Sequence, residues 1–335
     1  MPFAGPMQAN ASAIDLRAQG RLDDAIAAFR EGVAQFPQVA ALRQNLAQAL
    51  YERGDNAGAI AEHRAALAIS DSIASHLALY ELLQITGARD EALVHQRKAL
   101  ATTQLFSHIA PNEQRRVLCL CTPGDWQANI PVDFLFDLAT TTVHKFYLLD
   151  EDHVSLGNVP PYDVVWNIVA ESPDALSALA LANYVIRAQH KPSLNAPARV
   201  IATARPMLAN TLSYTSASVA PIATVERSAL NAGAFTFPYP VIARPLGSHA
   251  GHGLERIDSA GELSAYTQRH PAARYFVSPF VDYASADGYY RKYRLVFVDG
   301  IPYPVHLAVS PDWMIHYYNA PMSEHQWMRD EEAAF

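Results

Sequence analysis

Two clusters in this chain carry side chains suited to holding an anion. In the first, the apolar run Val241-Ile242-Ala243 ends in Arg244, and Gly247, Ser248, His249, Gly251, His252 and Gly253 follow within nine residues. Glycines let the backbone turn tightly and come close to a ligand, so that successive N–H groups cradle an anion such as phosphate. A guanidinium at the strand end adds a multidentate phosphate partner. The second cluster is Tyr290–Val298, with Arg291, Lys292 and Arg294 near its start. A period of two puts Lys292 and Arg294 on one face of a strand, and Arg291 and Tyr293 on the other. Three cations in four residues either guard an exposed edge or meet an anion. His306 and His316 lie further on, as site-facing or as core histidines. His249 and His252 sit on a glycine loop rather than a helix and have no cysteine support, so no metal-ligand set is assigned.

The elements that must position these groups follow from the flanking pattern. No Gly-Lys-Ser/Thr closes the loop, so it is not a phosphate-binding loop of that kind. The glycine spacing and the strand-like Leu254–Ile257 do not fit a dinucleotide fingerprint. Strand, glycine loop and strand predict a hairpin lid. A helix is expected over Ser259–His270 and a strand over Tyr275–Asp282. Asp299-Gly300 marks a hairpin between Tyr290–Val298 and Ile301–Val309, and Trp313–Asn319 reads as a third strand. Upstream, Val117–Cys121, His144–Leu149 and Tyr162–Asn167 read as strands of a small α/β unit. Ile130–Leu138 is expected to be helical from its proline start, as is Ser172 to about Gln189 with serine as N-cap. Asn129 and Asn167 are turn or cap residues, or weak substrate-side candidates.

The first third is different. Gly20, Gly54 and Gly87 recur at intervals of 34 and 33 residues, each followed five residues later by an alanine, Ala25, Ala59 or Ala92. Helical periodicity flanks each glycine. Paired helices at this period resemble tetratricopeptide repeats, which implies a curved surface that docks a peptide or protein partner.

The 335 residues, half of them hydrophobic, exclude a disordered chain and allow two or three domains. A formal net charge of −8 argues against a general nucleic-acid or anionic-membrane binder. Cys119 and Cys121, two apart in one strand, read as reduced core thiols. No apolar run is long enough to span a bilayer, so a soluble, cytoplasmic protein without membrane partners is expected.

In their order, the segments from about residue 115 resemble the ATP-grasp superfamily. The fold expected is thus α plus α/β and multidomain: helical repeats over 7–104, a pre-ATP-grasp α/β domain over 115–197, and an ATP-grasp α+β domain over 198–335. The resemblance implies ATP held by Arg205, Arg244, Gly247, Ser248, His249, Gly251 and Gly253. It also implies that the backbone around Val277 and Phe280 lines the adenine. Arg294, with Arg291 and Lys292 behind it, is implied at a substrate carboxylate or the γ-phosphate. Arg205 stands where the family usually has lysine, and Pro279 where an acidic residue is common. The family's Mg²⁺ ligands, an acidic residue and a Glu-x-Asn block, are not in this sequence and are expected beyond residue 335, so the grasp domain reads as incomplete. The activity implied is ligation: a small-molecule or peptide carboxylate is activated as an acyl-phosphate and attacked by an amine or other nucleophile. The rival is a repeat scaffold whose degenerate grasp domain does no chemistry.

Overall fold

The computed structural model describes residues 3–149, 159–248, 251–317 and 319–335. The chain divides into two compact units, Met1–Ile201 and Ala202–Phe335.

The first unit opens with six helices: α1 (Pro6–Ala18), α2 (Leu22–Gln35), α3 (Ala40–Glu52), α4 (Asn56–Ile69), α5 (Ile73–Ile85) and α6 (Arg89–Thr102). They pack as antiparallel pairs. Gly20, Gly54 and Gly87 close the first helix of each pair with φ of +76°, +88° and +84°. That left-handed conformation is open to glycine at little cost, which is why glycine recurs there. Ala25, Ala59 and Ala92 are fully buried in the helical core with Leu42, Leu46 and Leu79. Small side chains at those positions let the paired helices approach. The Asp55 carboxylate caps α4 by accepting the Gly58 N–H at 2.8 Å.

A five-stranded sheet follows in the same unit, built from β1 (Leu105–His108), β2 (Arg115–Cys121), β3 (Thr141–Tyr147), β4 (Val164–Asn167) and β5 (Ser193–Leu194). The order is β1-β3-β2-β4-β5. All neighbours are parallel except β1, which runs antiparallel to β3. Leu118 and Leu120 face the cluster that includes Leu181 and Val185 of α7 (Leu176–Gln189). Val117, Cys119 and Cys121 face Val132 and Ile168 on the other side. Both cysteines are free and buried. The helix expected over Ile130–Leu138 is replaced by an irregular segment with one 3₁₀ turn, Asp133–Leu135. Only Val132 of this segment is buried, while Phe134 and Leu135 face solvent, so no continuous apolar face supports a helix. Asn129 pins this segment through two 2.8 Å bonds to the backbone of Thr122. The short helix α8 (Pro197–Ala202) leads out of the unit.

The second unit contains α9 (Arg205–Thr211), β6 (Ala223–Glu226), α10 (Arg227–Asn231), β7 (Val241–Pro245), β8 (Glu255–Ile257), α11 (Leu263–Arg269) and β9 (Arg274–Pro279). The sheet order is β6-β9-β7-β8, antiparallel throughout. Val241, Ala243, Tyr275 and Val277 bury one face against Leu230, Leu263 and Tyr266. β10 (Tyr290–Val298) and β11 (Ile301–Ser310) form the expected hairpin. Asp299 and Gly300 at its tip have φ of +49° and +78°, the left-handed pair a tight two-residue turn requires. Leu307, Ala308 and Val309 are buried beside Met328 of α12 (Gln326–Ala334), whereas Phe297, Val298 and Ile301 at the far end are exposed. Of the strand expected over Trp313–Asn319, the described residues 313–317 and 319 are not extended into a ladder. The Asn319 side-chain oxygen accepts the His316 N–H at 2.7 Å and the Asn319 backbone N–H donates to the His316 carbonyl at 3.1 Å, which closes a turn between these two residues.

Among the described residues no helix is long and apolar enough to cross a membrane.

Candidate functional site

The alternation along β7 sends Val241 and Ala243 into the core and Arg244 to the opposite face. There the Arg244 guanidinium folds back on the loop it precedes. Its Nε and Nη2 each donate to Ser248 Oγ at 3.1 Å, and Nη2 also donates to the Ser248 carbonyl oxygen. Ser248 Oγ in turn donates to the Pro245 carbonyl at 2.8 Å. Arg244 thereby shapes the start of the glycine loop, and among the described residues its Nη1 donors have no protein acceptor. At the loop's other end, buried Tyr266 donates to the Gly253 carbonyl at 2.9 Å.

The glycines between these anchors are required by angle, and at Gly253 by space as well. Gly251 has φ +76°, and a Cβ there would stand 2.5 Å from His316 Nε2. Gly253 has φ +66°, and its Cβ would meet Pro245 Cδ at 2.8 Å. Gly247 also has a left-handed φ, +76°. His249 lies outside the described residues. His252 is exposed and stacks edge-on to His270 at 6.4 Å.

Several cations share this neighbourhood. Arg205 opens α9, and its guanidinium carbon lies 5.9 Å from the centroid of the Phe276 ring. Phe276 is the register partner of Arg244 and shares its face of the sheet. Burial, then the charge of Arg205, lowers the pKa of Arg244. Desolvation, then Lys292 and Arg244, lowers that of His316, so the imidazole sits within reach of both cations. Desolvation and then Arg294 lower the pKa of Lys292, whose ammonium donates to the Ile315 carbonyl at 2.9 Å. Arg205, Arg244, His316, Lys292 and Arg294 thus form a chain of basic groups, each in the field of the next. Among the described residues no carboxylate lies within ion-pairing distance of Arg205, Arg244, Lys292 or Arg294.

Arg291 belongs elsewhere. It forks between Asp287 at 2.8 Å and Glu331 at 2.5 Å, which ties β10 to α12. The Tyr293 ring meets Phe335 at 5.1 Å on the same side. The two faces read from the period of two are therefore chemically distinct: Arg291 and Tyr293 hold α12, while Lys292 faces the basic cluster. Val277 points into the core, away from Arg244, on a strand paired along both edges. The Phe280 N–H donates to the Pro240 carbonyl at 2.9 Å, and its ring carries the Arg256 guanidinium at 4.4 Å. His306 stacks on Tyr317 at 4.9 Å. Phe276 and Tyr266 were not evident as site residues from sequence. Phe276 differs from other strand aromatics only in lying across from Arg244, a pairing that no local pattern reveals.

The arrangement can bind a multiply charged anion against a glycine turn. It lacks a metal centre of the usual kind: no group of three or more His, Cys, Asp or Glu is placed to hold an ion among the described residues.

Comparison with known proteins bears on the other unit. A tetratricopeptide-repeat family model matches residues 16–74. No curated protein matches the chain. Among solved structures, MamA is 19% identical over 29% of this chain with a TM-score of 0.28, and 57% of MamA is covered, so the chain spans little more than half of that relative. The first TPR of Spaghetti (RPAP3), bound to the HSP90 peptide SRMEEVD, is 18% identical with a TM-score of 0.29, covering 29% of this chain and 79% of that one. The second TPR of Spaghetti, bound to the same peptide, is 16% identical with a TM-score of 0.28, covering 29% and 92%. The N-terminus of the chain is built of tetratricopeptide repeats.

Proposed function

We propose that the second unit binds the triphosphate of ATP in an ATP-grasp-like manner, and that the helical repeats dock a peptide or protein partner. The observation that supports the nucleotide is that Arg205, Arg244, His316 and Lys292 lie beside a glycine loop, with no carboxylate paired to Arg205, Arg244 or Lys292 among the described residues. Like charges held together disfavour one another, and a bound polyanion turns that repulsion into attraction. Arg244 Nη1, the Arg205 fork and the loop N–H groups would hold the phosphates. Lys292 and Arg294 would meet the γ-phosphate or a substrate carboxylate. ATP would supply phosphoryl transfer to a carboxylate, making it open to attack by an amine or other nucleophile. The residues described do not furnish a magnesium site, and no step is assigned to that ion.

Titration calorimetry of the full chain with ATP, ADP, AMP and adenosine tests this. Affinity should fall at each loss of phosphate and should drop at least about tenfold in Arg244→Ala, the scale of a lost charged hydrogen bond. Equal affinities for ATP and adenosine would show that the phosphates are not what the site binds. Absence of binding would favour the scaffold without nucleotide chemistry.

A further inference from the structure

The first unit has a cleft of about 490 Å³ that neither the repeats nor the nucleotide site accounts for. Its floor is the carboxyl edge of the parallel sheet: Cys121 ends β2, Tyr147 ends β3, and Ile168 follows β4. The chain leaves β2 for β3 on one side and returns to β4 on the other, so β2 borders the point where strand order reverses. Ligands of open α/β sheets settle in that crevice. The wall is supplied by helix ends of the repeats, with Tyr51 of α3 and Glu81 of α5. Three bonds hold wall and floor together. The Tyr80 hydroxyl donates to the Gly124 carbonyl at 2.7 Å, and Gln96 and Gln84 accept the N–H groups of Gly124 and Trp126 at 2.9 and 2.8 Å. The cleft is thus built into the fold rather than left between loosely placed parts.

Its charges are unequal. Asp133 is paired with Lys145 at 2.7 Å, and Asp125 with Arg89 at 2.9 Å. Glu81 makes no ion pair or hydrogen bond among the described residues. It is open to the cleft yet crowded by it: desolvation and then the Asp133 charge raise its pKa, against a lowering by Lys145 that does not cancel them. A carboxylate in that setting gains from a cation that enters with its own charge. Tyr51 and Trp126, 43% and 50% exposed, present aromatic faces at the site, and such faces attract ammonium groups. Ile85, Ile130 and Pro131 offer apolar surface for an alkyl stem.

We infer that this cleft binds a primary ammonium on an aliphatic stem, a lysine side chain or a free alkylamine, with Glu81 as its counter-ion and Trp126 and Tyr51 around it.

The full chain is titrated by calorimetry and tryptophan fluorescence with acetyl-Gly-Lys-Gly-amide, its norleucine counterpart and 1-aminopentane. The lysine peptide should bind and the norleucine peptide should be weaker by about tenfold or more, the scale of a charged hydrogen bond. Glu81→Gln should lose that difference while keeping the thermal midpoint, and Trp126→Phe should lose most of the fluorescence change. Binding of 1-aminopentane as well shows that a small amine suffices, whereas binding of the peptide alone marks a lysine in a chain; both support the assignment. Equal binding of the lysine and norleucine peptides, unchanged lysine-peptide affinity in Glu81→Gln, or no binding of either amine at millimolar concentration would overturn it. The norleucine comparison uses the unaltered protein and does not depend on a variant that folds.

Discussion

At the scale of single residues, three neighbouring cations separate into two jobs. Arg291 is half-buried between Asp287 and Glu331 and anchors α12. Its guanidinium holds the Asp287 carboxyl down at about 2. Lys292 and Arg294 have no carboxylate partner among the described residues. Arg291→Ala should therefore lower the melting temperature by a few degrees and leave ATP affinity nearly unchanged. Arg294→Ala should do the reverse. Thermal denaturation and titration of both variants check the assignment, and a loss of affinity confined to Arg291→Ala would invert it. The period of two in Tyr290–Val298 makes the two faces legible, but the family resemblance groups Arg291 with Lys292 and Arg294 at the substrate, so the separate job of Arg291 was not legible. The identity of the neighbours was not legible: Glu331 lies 40 residues away from Arg291, and only folding brings α12 beneath it.

At the scale of elements, repetition was the strongest signal. Gly20, Gly54 and Gly87 each mark a left-handed turn whose conformation, rather than its surroundings, demands glycine, since a Cβ at any of them meets nothing within 4 Å. A purely local requirement of that kind is visible in sequence. Two other expectations failed, one for want of an apolar face and one through a side-chain bond that hydropathy alternation does not reveal. Ile130–Leu138 has hydrophobic residues but spends Phe134 and Leu135 on solvent, and Trp313–Asn319 is diverted by the Asn319 side chain. Within the repeats, burial of His63 on α4 brings its pKa down to about 4. The folded state then prefers the neutral imidazole. Stability from this group is present above the unfolded value near 6.5 and is lost as pH falls toward about 4, where the folded form also takes up a proton. The full window is worth at most on the order of 3 kcal/mol. Burial lowers the pKa of His95 and His144 too, which adds loss in the same direction. Melting curves between pH 7 and 4 should show a shallower decline in His63→Gln than in the unaltered protein. Parallel declines would show that His63 does not carry this linkage.

At the scale of the molecule, the repeats and the five-stranded sheet share one unit, and the antiparallel sheet with the long hairpin forms another. Each buries its own apolar clusters, Leu46 in the first and Val277 in the second. Leu46→Ala should lower one calorimetric transition and Val277→Ala the other, each by about 2–5 kcal/mol in its unit's stability, as expected for a core truncation. A single transition shifted alike by both would show one cooperative core. The alternation of helices and strands made the change of architecture along the chain legible. The cleft at the end of β2 was not, since its Glu81, Trp126 and Tyr147 come from three separate elements.

In the proposed function a nucleotide's phosphates lie on the loop between β7 and β8. Amide hydrogen exchange of the full chain with and without saturating ATP measures this position by position. Binding should slow exchange across residues 244–257 and at the start of α9 near Arg205, with the effect lost in Arg244→Ala. Slowing elsewhere with residues 244–257 unchanged, or no slowing at all, would contradict a phosphate site on this loop.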